Sequence, residues 1–339
     1  MRLIFPRPSP VWYIYFKCET AIIRAFNTIS ASSRGITVTE KHFSCIAIIS
    51  KPVEVLTEHV RHVLSLVQAS GATALLDANS VRDLGPDCGY TATPVQEITQ
   101  KADAVITIGG DGTMLGAARA FAKTNIPIIG VNAGRLGFIT DIPVTKIGTE
   151  LPAILSGHYC YDKRPMLRGT IYRDGKPVFS SYATNDIGLC HGRALGMVEY
   201  SLYVDNTLLS IQRADGIIIS TATGSTAYAM SAGGPIMHPA LGAMLLVPIA
   251  PHTLSNRPVL VPRSSTIRIE VTETRSAVAS FDAQVFFDVL VGDTLEIGTA
   301  ADSHFVMLHP KGFNQYDMWH RKLNWSLLPY NDFPVHEKI

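Results

Sequence analysis

The spacing of apolar residues changes once along this chain, near residue 160, and that change limits the fold more than any other feature. Before it, β-branched runs alternate with helical periods. Phe43 to Ile49 (FSCIAII), Ala72 to Leu76, Ala104 to Ile108 (AVITI) and Ile126 to Val131 (IPIIGV) read as buried strands. Leu56, Val60, Val63, Leu64 and Val67 recur at helical spacing between the first two, and Met114 to Ala122 reads as a helix after the third. Strands alternating with helices imply a parallel sheet with crossover helices. After residue 160 short alternating runs take over: Ile217 to Ser220, Val259 to Val261, Thr266 to Val271 and Thr294 to Ile297. Val198 to Val204 meets Leu208 to Gln212 across Asp205-Asn206-Thr207, a hairpin pattern. One helix-like insertion, Thr223 to Ala232, interrupts this half. The expected architecture is an α/β N-terminal domain followed by an all-β sandwich C-terminal domain.

Bulk properties narrow the function. The 339 residues are 47% apolar and 17% charged, enough for two real cores. With 29 basic and 28 acidic residues, no strong field exists to steer nucleic acid or an anionic membrane. Five widely spaced cysteines (Cys18, Cys45, Cys88, Cys160, Cys190) form no C-x-x-C pair, which points away from a disulfide framework or zinc site and toward a reducing compartment. The longest apolar run, Met244 to Ala250, is far shorter than the roughly 18 residues of a membrane span. Residues 1–42 stand apart, with Arg2, Arg7, Lys17, Arg24, Arg34 and a serine cluster. They vaguely resemble a transit peptide, but Glu19 and the apolar stretch Val11 to Phe16 break the pattern, so a non-core N-terminal extension is expected. His59 and His62 lie three apart on the first helix, with no Cys nearby, and read as a solvated helix face. Trp319 and Trp325 read as anchors for the C-terminal tail.

Three constellations carry chemistry. Gly109-Gly110-Asp111-Gly112-Thr113 lies between a strand and a helix, at the carboxyl end of the strand, where open α/β sheets bind ligands. Glycines permit positive φ and close backbone approach to phosphate, and N–H groups at the helix start favour anions. A carboxylate there is costly beside phosphates unless it holds a metal or takes a proton; the bland alternative is a tight turn with an N-capping Asp. The motif is not a P-loop, because no Gly-Lys-Ser/Thr follows. Gly110, Gly112 and Gly116 loosely match a dinucleotide fingerprint, but the next strand ends at Val131-Asn132 without the expected acid. The second constellation is Asp215-Gly216, an apolar run, and then Thr221-Ala222-Thr223-Gly224-Ser225-Thr226-Ala227-Tyr228, closed by Ser231-Ala232-Gly233-Gly234-Pro235. Hydroxyls and free N–H groups at a helix start can grip sugar hydroxyls or phosphate, unless the segment is only a capped helix packed in the sandwich. Ser225 is not in a Gly-x-Ser-x-Gly elbow, which argues against a hydrolase nucleophile. The third is Asn185-Asp186, an amide beside a carboxylate, suited to ribose hydroxyls or a base edge but equally to a turn.

In order and spacing, these segments resemble the NAD kinase family, its bacterial cytosolic branch in particular, from about His42 to Trp325. The motifs are GGDGTMLGAAR (109–119), NAGRLGFITD (132–141), ND (185–186), QRADGIIISTATGSTAYAMSAGGPI (212–236), LVPIAPHTLSNRP (246–258) and FDAQ (281–284). The GGDG loop alone is unspecific, since diacylglycerol kinases, sphingosine kinases and phosphofructokinases carry similar loops. The resemblance implies domains at 43–145 (α/β) and 146–305 (β-sandwich), with 306–339 returning to the first domain. It implies transfer of the γ-phosphoryl of ATP to the 2′-hydroxyl of the adenosine ribose of NAD, with Mg²⁺ or another divalent metal carried by ATP and no side chain assigned to it. A cytoplasmic homodimer or homotetramer is implied, its site completed by a neighbouring subunit.

Residue by residue, the resemblance makes Asp111 the proton acceptor, with Gly110 and Gly112 beside the substrate. Asn185 and Asp186 bind NAD; Asp215 and Thr223, Gly224, Ser225, Thr226, Ala227, Tyr228, Ala229, Met230 and Ser231 line its pocket, with Tyr228 as an aromatic wall; Gln284 belongs to a late strand motif. Arg213 stands where similar NAD-selective kinases hold a basic residue, which implies NAD over NADH. Three departures stand out. Asn185-Asp186 replaces an Asn-Glu pair, implying a longer or water-bridged ribose contact. Thr221-Ala222-Thr223-Gly224 replaces Thr-Pro-Thr-Gly, implying a looser turn. Asp282-Ala283-Gln284 replaces Asp-Gly-Gln. The competing readings are a lipid kinase with the same loop and a non-catalytic dinucleotide sensor.

Overall fold

Apolar runs without polar alternation need cover on both faces, and the first half supplies it with helices. The structure, a computed structural model, describes residues 43–51, 56–134, 137–192 and 196–325. The extension 1–42 lies outside them. Strands β1 (Cys45–Ser50), β2 (Thr73–Leu76), β3 (Ala104–Gly109) and β4 (Ile128–Asn132) pair in parallel in the order β4-β3-β1-β2. Every residue of β3 and β4 is buried. Helix α1 (Thr57–Ala69) turns Val60, Val63, Leu64 and Val67 onto this sheet, each burial contributing about 1.5–3 kcal/mol. Helices α2 (Ala78–Leu84), α3 (Val95–Lys101) and α4 (Asp111–Ala120) complete the crossovers, the last three residues earlier than the helix expected from Met114. After β5 (Ile142–Pro143), helix α5 (Ile147–Leu155) packs Ile147, Leu151, Ile154 and Leu155 into the same core.

The second half is a β-sandwich. One face is formed by β6 (Tyr159–Arg173), β7 (Lys176–Ala183), β9 (Val198–Val204), β10 (Thr207–Ala214), β14 (Ile267–Glu273) and β17 (Thr294–Pro310). The other is a six-stranded antiparallel sheet in the order β13-β12-β11-β8-β15-β16: β8 (Asp186–His191), β11 (Gly216–Ser220), β12 (Ala243–Ile249), β13 (Val259–Pro262), β15 (Ala277–Phe281) and β16 (Val285–Val289). Ile187, Leu189, Ile217 and Ile219 point into the shared core with Leu202, Ile269 and Leu295. The β9–β10 turn, Asp205-Asn206, has positive φ at both residues (49° and 65°), as a two-residue hairpin requires.

The halves are joined by a strand. β17 continues well past the expected Thr294 to Ile297, and its Met307 pairs in parallel with Ile128 of β4, so one sheet runs from the α/β layer into the sandwich. Helix α6 (Tyr228–Ser231), preceded by a 3₁₀ turn at Gly224–Thr226, lies on the outside of the six-stranded sheet, where Ala229 meets Ile218, Leu245 and Val247. The last helix, α7 (Gln315–Leu323), buries Trp319, whereas Trp325 is exposed.

Candidate active site

The first wall is built where β3 ends. Gly110 is extended (φ −121°) and Asp111 opens α4, so neither the positive φ nor the N-capping role considered for this loop is used. The Asp111 side chain turns instead toward residues 138–140. Its Oδ2 accepts the Phe138 N–H at 2.7 Å; its Oδ1 accepts the N–H groups of Ile139 (3.3 Å) and Thr140 (3.1 Å) and the Thr140 hydroxyl (2.8 Å). A Cβ at Gly137 would collide with Oδ1, so only glycine lets the loop close on the carboxylate.

That loop is anchored from behind. Asn132 Nδ2 donates to Thr140 Oγ1 at 2.8 Å. Asp141 is 2.8 Å from Nδ1 of the buried His309, whose Nε2 is 3.4 Å from Asp162. Burial alone would lower the His309 pKa, but the two carboxylates, Asp141 foremost, outweigh it and raise it. Beside Gly110 and Gly112 opens a cavity of about 510 Å³, also lined by Lys51, Asn79, Thr113 and Gln284. Its size suits a small-molecule ligand.

The second wall lies on the six-stranded sheet. Alternation along β8 sends Ile187 and Leu189 inward and leaves Asp186, Gly188 and Cys190 on the outer face. A Cβ at Gly224 would collide with the Asn185 carbonyl, so the hydroxyl-rich turn is pressed against Asn185. Thr221 Oγ1 donates to the Thr184 carbonyl (2.7 Å) and accepts the Gly224 N–H (3.0 Å), closing the turn without the proline that Ala222 replaces. Tyr228 is 47% exposed, and burial first, then the charges of Cys190, Asp186 and Asp215, hold its phenol above its ordinary value. Burial pushes Asp186 up to about 7, the Asp282 carboxylate adding to it. Burial likewise pushes the Cys190 thiol up to about 11, with Asp186 and Asp215 contributing.

Not every expected residue faces open space. Ser225 and Ala229 are fully buried; the Ser225 hydroxyl donates to the Ala222 carbonyl and accepts the Met237 N–H. Thr223, Gly224 and Thr226 are buried, Ala227 and Met230 half-buried, and Ser231 exposed. Arg213 is exposed on β10, and its carbonyl accepts the His252 N–H.

The two walls are tied by a relay that sequence reasoning missed in part. Gln284 sits in the β15–β16 turn rather than within a strand; its Nε2 donates to the Gly112 carbonyl at 2.8 Å. Arg119 of α4 donates to Gln284 Oε1 (2.7 Å) and lies 3.5 Å from Asp282 Oδ2. Asp282 accepts the N–H groups of Thr184, Asn185 and Asp186. Burial raises the Asp282 pKa even against these three amides and Arg119. Arg119 was visible only as part of the GGDG-type motif, and nothing in its spacing announced a partner more than 160 residues away.

Comparison with known proteins agrees with this geometry. Residues 46–159 match the ATP-NAD kinase N-terminal domain and residues 184–309 the ATP-NAD kinase C-terminal domain. An NAD kinase of Cupriavidus pinatubonensis (strain JMP 134 / LMG 1197) is 46% identical over 244 residues, covering 72% of this chain and 80% of the relative. One from Azoarcus sp. (strain BH72) is 38% identical over 289 residues, covering 85% and 98%. Among solved structures, yeast NADH kinase complexed with NADH superposes with a TM-score of 0.77 at 26% identity, covering 88% of this chain and 91% of that one. An Archaeoglobus fulgidus NAD kinase in complex with ATP shares the fold at a TM-score of 0.64 and 24% identity, covering 83% and 97%. With both domain models matched and relatives this similar across most of its length, the chain belongs to the NAD kinase family and is an NAD kinase.

Proposed function

We propose that this enzyme transfers the γ-phosphoryl group of ATP to the 2′-hydroxyl of the adenosine ribose of NAD, with Asp111 accepting the hydroxyl proton. The observation that carries this is the Asp111 carboxylate, fixed by four hydrogen bonds at the carboxyl edge of a parallel sheet, while its neighbours Gly110 and Gly112 line a cavity of about 510 Å³. The donor phosphates lie in that cavity, against the Gly110–Gly112 backbone and Lys51. Phosphoryl transfer needs alignment and charge neutralisation more than a strong base, and a positioned carboxylate suffices to take the proton. NAD is held by Asn185, Asp186 and Asp215, with Tyr228 against it and the Thr223 to Ser231 turn shaping the wall. The relay through Gln284, Arg119 and Asp282 sets the distance between the two walls.

Mg²⁺ or another divalent metal carried on the triphosphate would offset its charge, with no side chain of this chain assigned to hold it. Among the described residues no group of three His, Cys, Asp or Glu is placed to hold a metal ion. The domain boundaries 43–145, 146–305 and 306–339 are part of this proposal. So is self-association into a homodimer or homotetramer, for which the exposed Leu208, Leu209 and Ile211 on strand β10 offer apolar surface. A cytoplasmic location accords with the four free cysteines among the described residues. Among those residues no helix is long and apolar enough to cross a membrane.

The test is a coupled assay with NAD, ATP and Mg²⁺, repeated with diacylglycerol in place of NAD. NADP formation stoichiometric with ADP is expected. ATP consumption only with the lipid, or tight NAD binding without NADP, would overturn the proposal in favour of a lipid kinase or a sensor.

A further inference from the structure

The four bonds on Asp111 are unevenly shared. A carboxylate oxygen offers about two lone-pair directions. Oδ1 receives three donors: the Ile139 and Thr140 amides and the Thr140 hydroxyl. Oδ2 receives one, from Phe138. The Thr140 hydroxyl has no freedom to do otherwise. The Gly134 N–H donates to Asn132 Oδ1 at 2.9 Å, which sets the orientation of that amide. Asn132 Nδ2 then donates to Thr140 Oγ1, so the threonine proton points at Asp111 Oδ1. Thr140 is fully buried and Asn132 nearly so, which shields the chain of bonds from water.

We propose that Thr140 is a positioning residue that commits Asp111 Oδ1 and leaves Oδ2 as the oxygen that takes the substrate proton. This rests on the reading of Asp111 as proton acceptor. In the step, the ribose 2′-O–H bond breaks and its proton goes to Oδ2. The 2′-oxygen forms the new bond to the γ-phosphorus, and the bond from that phosphorus to the β,γ-bridging oxygen breaks with its electron pair leaving on ADP. The proton on Oδ2 is later released to solvent. Thr140 touches none of the reacting atoms; it fixes the rotation of the carboxylate, so its loss spreads the acceptor over wrong orientations.

The experiment compares Thr140→Val, which keeps the shape and deletes the hydroxyl, with Thr140→Ser, which keeps the hydroxyl. Losing a hydrogen bond to a charged group predicts a kcat lower by about 10–100-fold for Thr140→Val. KM for NAD and for ATP should stay within about twofold, and Thr140→Ser should recover most of kcat. If the valine variant does not fold, Thr140→Ala against Thr140→Ser makes the same comparison. Unchanged kcat in the hydroxyl-free variant, a loss confined to KM, or a serine variant as slow as valine overturns the inference. Asp111→Asn, run alongside, separates the two ideas: if it retains turnover the proton-acceptor reading itself fails, whereas if it is inactive while Thr140→Val is fully active only the positioning role fails.

Discussion

Asp111 and Asp186 are the same residue type on two walls of one enzyme, and their surroundings are opposite. Asp111 is half-buried and receives four hydrogen bonds from a loop that closes on it. Asp186 is more deeply buried, and among the described residues nothing donates to its carboxylate; its own N–H goes to Asp282 instead. The α/β wall spends its donors on orientation. The sandwich wall gives its donors to Asp282, three amides in all, and leaves Asp186 sensitive to proton binding. Under the proposed roles, the placement of backbone N–H groups makes a fixed acceptor and an adaptable contact from one side chain.

The sharpest way to break this contrast is Asp111→Asn. General-base assistance contributes about 10²–10⁴-fold, and kcat should fall by that order. The amide also turns a donor toward N–H groups that now point at oxygen, so a stability loss of about 1–3 kcal/mol accompanies it while the fold is kept. Steady-state rates with far-ultraviolet circular dichroism check both. Near-wild-type NADP production would show that the four hydrogen bonds serve only to tether the loop.

Asp186→Asn tests the other carboxylate. In the folded chain burial holds Asp186 near 7, against about 4 for an unfolded Asp. The folded state therefore binds a proton more tightly than the unfolded one, and stability falls as pH rises from about 4 to about 7. Above that the full penalty, at most a few kcal/mol, persists. Asp186→Asn removes the ionisation, so its stability relative to wild type should rise over this window and level off above it. A difference in thermal midpoint that does not vary between pH 5 and pH 8 would mean that Asp186 is better solvated or better paired than its burial indicates. Arg213→Gly probes β10, the edge strand of the opposite sheet of the sandwich. The ratio of kcat/KM for NADH over NAD should rise by roughly fivefold, about 1 kcal/mol. An unchanged ratio would remove Arg213 as the selector.

Much of this contrast could not be read from the chain. Period and composition place β1 to β4, the β9–β10 hairpin and the hydroxyl-rich turn, because each is a local pattern of burial or turn chemistry. They miss β6 and β7. The first begins Tyr159-Cys160-Tyr161-Asp162-Lys163-Arg164-Pro165, too polar to resemble a strand until β17 is known to pair with it. The turn between them, Asp174-Gly175, has positive φ at both residues, and that pair was a hairpin signal open to sequence reading. The donors to Asp111 come from residues 27 to 29 positions away, and the Arg119–Asp282 contact spans 163. No periodicity encodes such pairings; the sheet order creates them. Resemblance named candidate residues without saying which oxygen or which donor each would use.

The smallest expected effect concerns the turn that joins the walls. Asp282 and Ala283 both adopt the left-handed region, at φ 53° and 51°, and the Gln284 N–H returns to the Phe281 carbonyl at 3.0 Å. A β-carbon in that region costs roughly 1–2 kcal/mol, and glycine avoids it. Glycine also adds freedom to the unfolded chain, which offsets part of the gain. Ala283→Gly should therefore stabilise the protein by about 0.5–1 kcal/mol, read as a higher urea midpoint with an unchanged slope. The turn also aims Gln284 at the Gly112 carbonyl and at Arg119, and that aim depends on the left-handed pair. If glycine instead lowers the midpoint and weakens NAD binding, the alanine is holding the relay at its set geometry. The distance between a rigid acceptor and an adaptable contact would then be fixed by strain kept in the turn.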